Sequence, residues 1–182
     1  MNKNAMPYLF IVLFILAACN RDDQRTKAQK MVKEWTGKTI EIPEGIDSYF
    51  MTKDSMAPVS KSPYKLFVYT DSTGCTNCKL NLLAWKHFMQ EADSLLGDNL
   101  DFVFYFQPQN EKELNSLIKR DKFEHFVFMD REAKLLKLNS FPSEMEYQSF
   151  LLDSENKVIS IGNPTLNTKV WDLYKQIVME DE

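Results

Sequence analysis

Basic charge is not in excess: 22 Lys and Arg stand against 26 Asp and Glu, giving a formal net charge of -4 and a pI near 5.3. Nucleic acid is excluded as a partner, because its binders carry basic stripes. Histidine is nearly missing. His87 and His125 are the only two, and they do not form a paired ligand spacing, so a zinc site built on cysteine would lack its remaining ligands. After residue 18 no apolar segment is long enough to span a bilayer, which takes about 20 residues. No internal repeat is present. Cysteine is confined to Cys19, Cys75 and Cys78. What the chain does have is apolar mass: 44% hydrophobic and 13% aromatic residues, enough for a real core and against wholesale disorder.

The start of the chain carries one positive charge, Lys3, and then an unbroken apolar run, Tyr8 to Ala18. That run is too short to span and fits the apolar region of an export signal. It ends in Leu16-Ala17-Ala18-Cys19, which resembles the lipobox of bacterial lipoproteins. The resemblance implies that residues 1–18 are a lipoprotein signal peptide and that Cys19 becomes the diacylated N-terminus. Two acyl chains suffice for stable membrane attachment. The next residues, Asn20-Arg21-Asp22-Asp23, are similar to the export signals of Bacteroidetes lipoproteins. They imply an outer-membrane location, facing either the periplasm or the cell surface.

Downstream, residues 27–35 predict a short helix, and Thr39–Ile42 alternates like a strand before Pro43 stops it. Residues 43–63 predict a loop-rich stretch with one short strand near Tyr49–Met51. Leu66-Phe67-Val68-Tyr69 is a continuous apolar run, the pattern of a strand buried on both faces. After the turn Asp71-Ser72-Thr73-Gly74, the segment Cys75–Leu96 predicts one long helix. Leu80, Leu83, Ala84, Phe88 and Leu95 fall on one face of it, and Cys78, Leu82, Trp85, Met89 and Leu96 on the next. Phe102–Phe106 predicts a second buried strand, Glu111–Arg120 a helix, His125–Met129 a third strand and residues 131–137 a short helix. Ser149–Leu152 and Val158–Ile161 predict a hairpin around Asp153–Lys157. Residues 166–180 predict a closing helix with an apolar face of Leu166, Val170, Leu173 and Ile177, to which Tyr174 can be added. The fold class is α/β: a mixed sheet with helices on both faces, parallel through its βαβ units and antiparallel at the hairpin.

Cys75-Thr76-Asn77-Cys78 stands where a buried strand turns into a helix. At spacing i and i+3 both sulfurs reach one side of a first helical turn. The positive end of a helix lowers a thiol's pKa from about 8.5 into a range of roughly 3.5–7.5. The thiolate is the attacking species in disulfide exchange, and a second cysteine resolves the mixed disulfide. Cys75 is expected to be the exposed nucleophile and Cys78 the buried resolver. A purely structural bridge of this size would restrain little of the unfolded chain.

The sequence Gly74-Cys75-Thr76-Asn77-Cys78-Lys79 between a strand and a long helix resembles the Trp-Cys-Gly-Pro-Cys-Lys of the thioredoxin superfamily. Phe150–Asp153 with Asn156–Ile159 is similar to the hairpin of exported TlpA/ResA-like thiol–disulfide oxidoreductases, and Gly37-Lys38-Thr39-Ile40 to the strand before their domain. The resemblance implies a thioredoxin-like domain over residues 36–182, behind a tether and short helix at 19–35. It implies Cys75 and Cys78 as catalytic residues, no cofactor, envelope protein thiols or disulfides as substrates and a separate redox partner. Three positions depart from the family pattern. Tyr147 stands where members carry a cis-proline, with Pro142 five residues earlier. Gly74 replaces a tryptophan, and Tyr69 replaces a buried acid. Glu144 and Glu146 precede the hairpin, where they could accept a proton from Cys78 or serve as solvated loop acids. A peroxidase would want a proline-threonine approach to its cysteine, and residues 69–74 lack one. The alternative to an enzyme is a lipoprotein that keeps the scaffold as a binding or accessory module.

Overall fold

In the computed structural model, residues 24–73 and 80–180 are described. The chain divides between Trp35 and Thr36. Before the division lies helix α1, residues 24–35, three residues longer at its start than the expected helix.

The second unit is built on a sheet of seven strands. They are β1 (Asp47–Phe50), β2 (Lys53–Asp54), β3 (Tyr64–Thr70), β4 (Leu100–Phe106), β5 (Phe126–Met129), β6 (Ser149–Leu152) and β7 (Val158–Ile161), in the order β2-β1-β5-β4-β3-β6-β7. β3, β4 and β5 run parallel, with Val68 opposite Phe104 and Phe104 opposite Val127. β6 lies antiparallel to β3, and β7 antiparallel to β6. Both the parallel crossovers and the antiparallel hairpin match expectation. Asn156, at φ 63°, turns the hairpin in the left-handed conformation that asparagine tolerates. Thr39–Ile42 forms no strand. Thr39 makes only an isolated bridge to Lys157, because Pro43 stops the segment before a ladder develops.

Four helices connect or close these strands among the described residues: α2 (Leu82–Leu95), α3 (Glu111–Arg120), α4 (Lys134–Asn139) and α5 (Thr168–Glu180). Asn110 caps α3, its side chain accepting from the backbone N–H groups of Lys112 and Glu113. One sheet face carries Leu66, Val68, Phe102, Phe104, Phe106, Val127, Met129 and Leu151, and packs against Trp85 and Phe88 of α2, Leu114 and Ile118 of α3, and Trp171 and Tyr174 of α5. Each such large side chain contributes about 1.5–3 kcal/mol on leaving water. The opposite face carries Phe67, Tyr69 and Phe150, whose rings meet Phe141 just after α4.

The expected helix from Cys75 to Leu96 is corrected at Asn81, which sits at φ 40°, ψ 46°. α2 starts after it, and the Asn81 carbonyl accepts from the N–H groups of Ala84 and Trp85. Leu82, Trp85, Phe88 and Ala92 are buried along one stripe, whereas Leu83 and Leu95 are 60% and 53% exposed. A similar shift occurs in α5. It starts at Thr168, two residues later than expected, and buries Trp171, Val178 and the expected Tyr174, while Leu166 in the preceding turn and Leu173 on the helix are exposed. Among the described residues no helix is long and apolar enough to cross a membrane.

Candidate functional site

At the carboxyl ends of β3 and β4 a cleft is lined by Thr70, Asp71, Ser72, Leu80, Phe106 and Gln107. The backbone is pinned on both sides. Thr70 accepts from the Gln107 N–H at 2.8 Å, and the Tyr69 N–H donates to the Gln148 carbonyl at 3.0 Å. Asp71 orders the turn: its Oδ1 accepts from the Thr73 N–H and hydroxyl, each at 2.7 Å. This is the Asx turn that lets aspartate end a strand.

Gln148 ties three segments together. It is buried, at 2% exposure, just before β6. Its Nε2 donates to Asp71 Oδ2 at 2.6 Å and to the Pro142 carbonyl at 3.0 Å. Its Oε1 is buried without a hydrogen-bond partner. Preceding it, Met145–Tyr147 forms a single 3-10 turn, closed by the Tyr147 N–H to the Glu144 carbonyl at 2.9 Å. The Asn163 side chain donates to the Met145 carbonyl from the far end of the hairpin.

Beneath the cleft, the Tyr69 hydroxyl donates to Gln107 Oε1 at 2.9 Å. Burial, with Asp130 and Asp71 nearby, pushes this phenol far above its ordinary range, because ionising it would set a third negative charge in a desolvated site. Asp130 is itself buried and accepts from the N–H groups of Lys134 and Leu135 at the start of α4. Gln148 and Asp130 were not anticipated from the sequence. An uncharged amide or a single acid inside a polar loop carries no periodic signal.

The arrangement of sheet and helices has counterparts among solved structures. It superposes on the solution structure of a thioredoxin-like protein in the oxidized form with a TM-score of 0.55 at 12% identity, covering 80% of this chain and 97% of that one. The fold is thioredoxin-like. The thioredoxin domain of a thiol–disulfide oxidoreductase from Bacteroides vulgatus matches with a TM-score of 0.54 at 16% identity, over 76% of this chain and 97% of that one. A peroxidoxin from Mycobacterium tuberculosis matches with a TM-score of 0.55 at 9% identity, over 81% and 98%. No family model matches the sequence, and no curated protein matches it.

In this thioredoxin-like frame the sequence between β3 and α2 contains Cys75 and Cys78, which lie outside the described residues, as do Gly74 and Cys19. Tyr147, at the family's cis-proline position, is part of the 3-10 turn, and every peptide bond among the described residues is trans. Pro142 is buried and held by Gln148. Glu146 is exposed and Glu144 partly so. The two histidines occupy different elements: His87 is exposed on α2, and His125 sits beside β5 with its ring against Phe104. Among the described residues no group of acids and histidines could hold a metal ion.

Proposed function

We propose that the protein is a lipid-anchored thiol–disulfide oxidoreductase of the bacterial envelope, working through Cys75 and Cys78. One observation carries the reading: a Cys-x-x-Cys sequence falls in the connection between β3 and α2 of a thioredoxin-like fold. In the reductive direction, the Cys75 thiolate attacks a substrate disulfide and forms a mixed disulfide, releasing one substrate thiol. Cys78 then attacks the Cys75 sulfur and releases the second thiol. The substrate gains two electrons, and the Cys75–Cys78 disulfide remains for a separate redox partner to reduce. The oxidative direction is the same sequence reversed.

The anchor follows from the lipobox resemblance at Leu16–Cys19, with residues 1–18 removed and 19–35 serving as tether and short helix ahead of the catalytic domain. The motif after Cys19 supports attachment at the outer membrane. Acylation of Cys19 leaves two thiols free for exchange.

The test is exchange of the purified protein with glutathione. Wild type is expected to form and resolve mixed disulfides, and Cys75→Ser to abolish the exchange. A Cys75 thiol that stays unreactive toward glutathione and alkylating reagents in the folded protein would overturn the reading. It would favour instead a binding module on the same scaffold, a reading supported by tyrosine at position 147, where members of the family hold substrate with proline.

A further inference from the structure

A second cavity shares no lining residue with the cleft at the ends of β3 and β4. It opens on the sheet face carrying Phe67, over the first halves of the parallel strands, and encloses about 460 Å³. Its floor comes from β3, β4 and β5. There the ring of Tyr105 stacks on Phe67 at 5.1 Å and on Phe128 at 4.5 Å, with Val103 beside them. The loop before β3 supplies its other wall through Ala57, Pro58 and Val59. Val59 is 87% exposed, so the mouth is apolar as well. Lone exposed apolar residues need no explanation, but an apolar lip on an aromatic cavity of ligand size does.

Two polar groups at this cavity have unused donor capacity. Ser60 lines it, and its Oγ is buried with no hydrogen-bond partner. Lys65 lines it too, and its ammonium donates to Asn156 Oδ1 at 2.5 Å and to the Ser154 carbonyl at 3.3 Å. An ammonium has three donors, so one remains. Burial holds the Lys65 ammonium below its ordinary range, and the carboxylates of Asp153 and Asp101 oppose that shift, so two negative charges already act on this one ammonium. Asp101 also lines the cavity and its Oδ1 accepts from the Phe102 N–H, while Asp153 Oδ1 accepts from the N–H groups of Glu155 and Lys157. His125, the remaining titratable group on the lining, turns its Nδ1 to the Phe126 carbonyl.

We infer that this cavity binds a neutral amphiphile: an uncharged apolar body of on the order of 15 non-hydrogen atoms, from the volume at about 30 Å³ each, ending in a carbonyl or hydroxyl oxygen. The oxygen takes the free donors of Ser60 and Lys65, and the body lies between the Phe67–Tyr105–Phe128 rings and the Val59 loop. A carboxylate of the same shape is rejected, because it would be the third negative charge around one ammonium. The site is independent of the cysteine pair.

The test is a methyl-NMR titration of the full-length Cys19→Ser chain with decanamide and, separately, with isosteric decanoate at pH 7. Decanamide is expected to shift the Val59 and Val103 methyl signals and to bind at least tenfold tighter than decanoate. Asp101→Asn is expected to narrow that difference to less than threefold. Val103→Trp, or Ala57→Trp on the loop in case the strand variant does not fold, is expected to weaken decanamide binding at least tenfold. Failure of decanamide to bind, equal binding of the two probes, or undiminished binding in a folded filling variant would each overturn the inference.

Discussion

Replacing Gln148 with leucine keeps the volume and removes every polar atom of the side chain. The lost bond to Asp71 Oδ2, 2.6 Å long, involves a carboxylate and contributes about 1.5–3 kcal/mol. The bond to the Pro142 carbonyl, 3.0 Å long, contributes about 0.5–1.5 kcal/mol. Against this, Gln148→Leu also removes the buried, unpaired Oε1, relieving about 1–3 kcal/mol. The net expectation is a loss of about 1–2 kcal/mol, or a Tm lower by about 2–8 °C for a chain of this size. Gln148→Glu changes the sign of the contact. It sets a second carboxylate against Asp71 in a buried position, and leaving a buried charge uncompensated costs about 3–5 kcal/mol. Thermal and guanidinium unfolding of both variants at pH 7 and pH 4 gives the comparison. The glutamate variant is expected to recover part of its deficit at pH 4, where one of the two carboxyls gains a proton, and the leucine variant to keep its own. If Gln148→Leu is as stable as wild type, or Gln148→Glu is no worse than Gln148→Leu at pH 7, the amide does not clamp this loop and the reasoning fails.

Under the proposed chemistry, Cys78→Ser is expected to accumulate a mixed disulfide with glutathione through Cys75, detected by mass spectrometry, whereas Cys75→Ser accumulates none. Tyr69→Phe is expected to leave the pH profile of glutathione exchange unchanged between pH 6 and 8, because the phenol is held protonated well above that range by burial and by Asp130 and Asp71. A lost inflection in that variant would contradict this. Glu91 accepts from Lys175 at 2.7 Å and from the Trp171 indole at 2.9 Å, and the Lys175 hydrogen bond holds its carboxyl below the ordinary value. A depressed carboxyl stabilises the fold above its unfolded pKa, about 4.3, and the contribution is lost as pH falls through the lower folded value. Glu91→Gln is therefore expected to cost about 0.5–1 kcal/mol at pH 7, the size of a partly exposed pair, and almost nothing near pH 2 in chemical denaturation.

The sheet was legible because its strands are continuous apolar runs whose burial needs no phase. Leu66–Tyr69 and Phe102–Phe106 sit inside β3 and β4, and the hairpin bounds match residue for residue. Helix faces were less legible, because they depend on phase. One left-handed residue, Asn81, moved the start of α2, no apolar pattern announces such a break, and Leu83 lies exposed on that helix. In α5, Tyr174 is buried as periodicity predicts, but Trp171 is buried as well and Leu173 is exposed, since periodicity alone does not weigh side-chain size. For the candidate site the sequence offered only a spacing of cysteines, and these lie outside the described residues. The contact of Gln148 with Asp71 was not legible, because it joins residues far apart in the chain.

Two departures from the thioredoxin pattern turn out to share a physical logic. At position 69 an acid gives way to a phenol that donates to Gln107. Before β6 there is no cis-proline. The turn is closed instead by its own backbone and tied to β3 through a neutral amide. In each place a group that would carry charge or rigid ring geometry is replaced by a neutral hydrogen-bond donor with a defined partner. A neutral donor does not take up the proton of a resolving thiol, so under the proposed chemistry neither Tyr69 nor Gln148 is that acceptor. The loop geometry then rests on Gln148 and Asp71, so disturbing this clamp should alter how substrate is held before it alters how protons move.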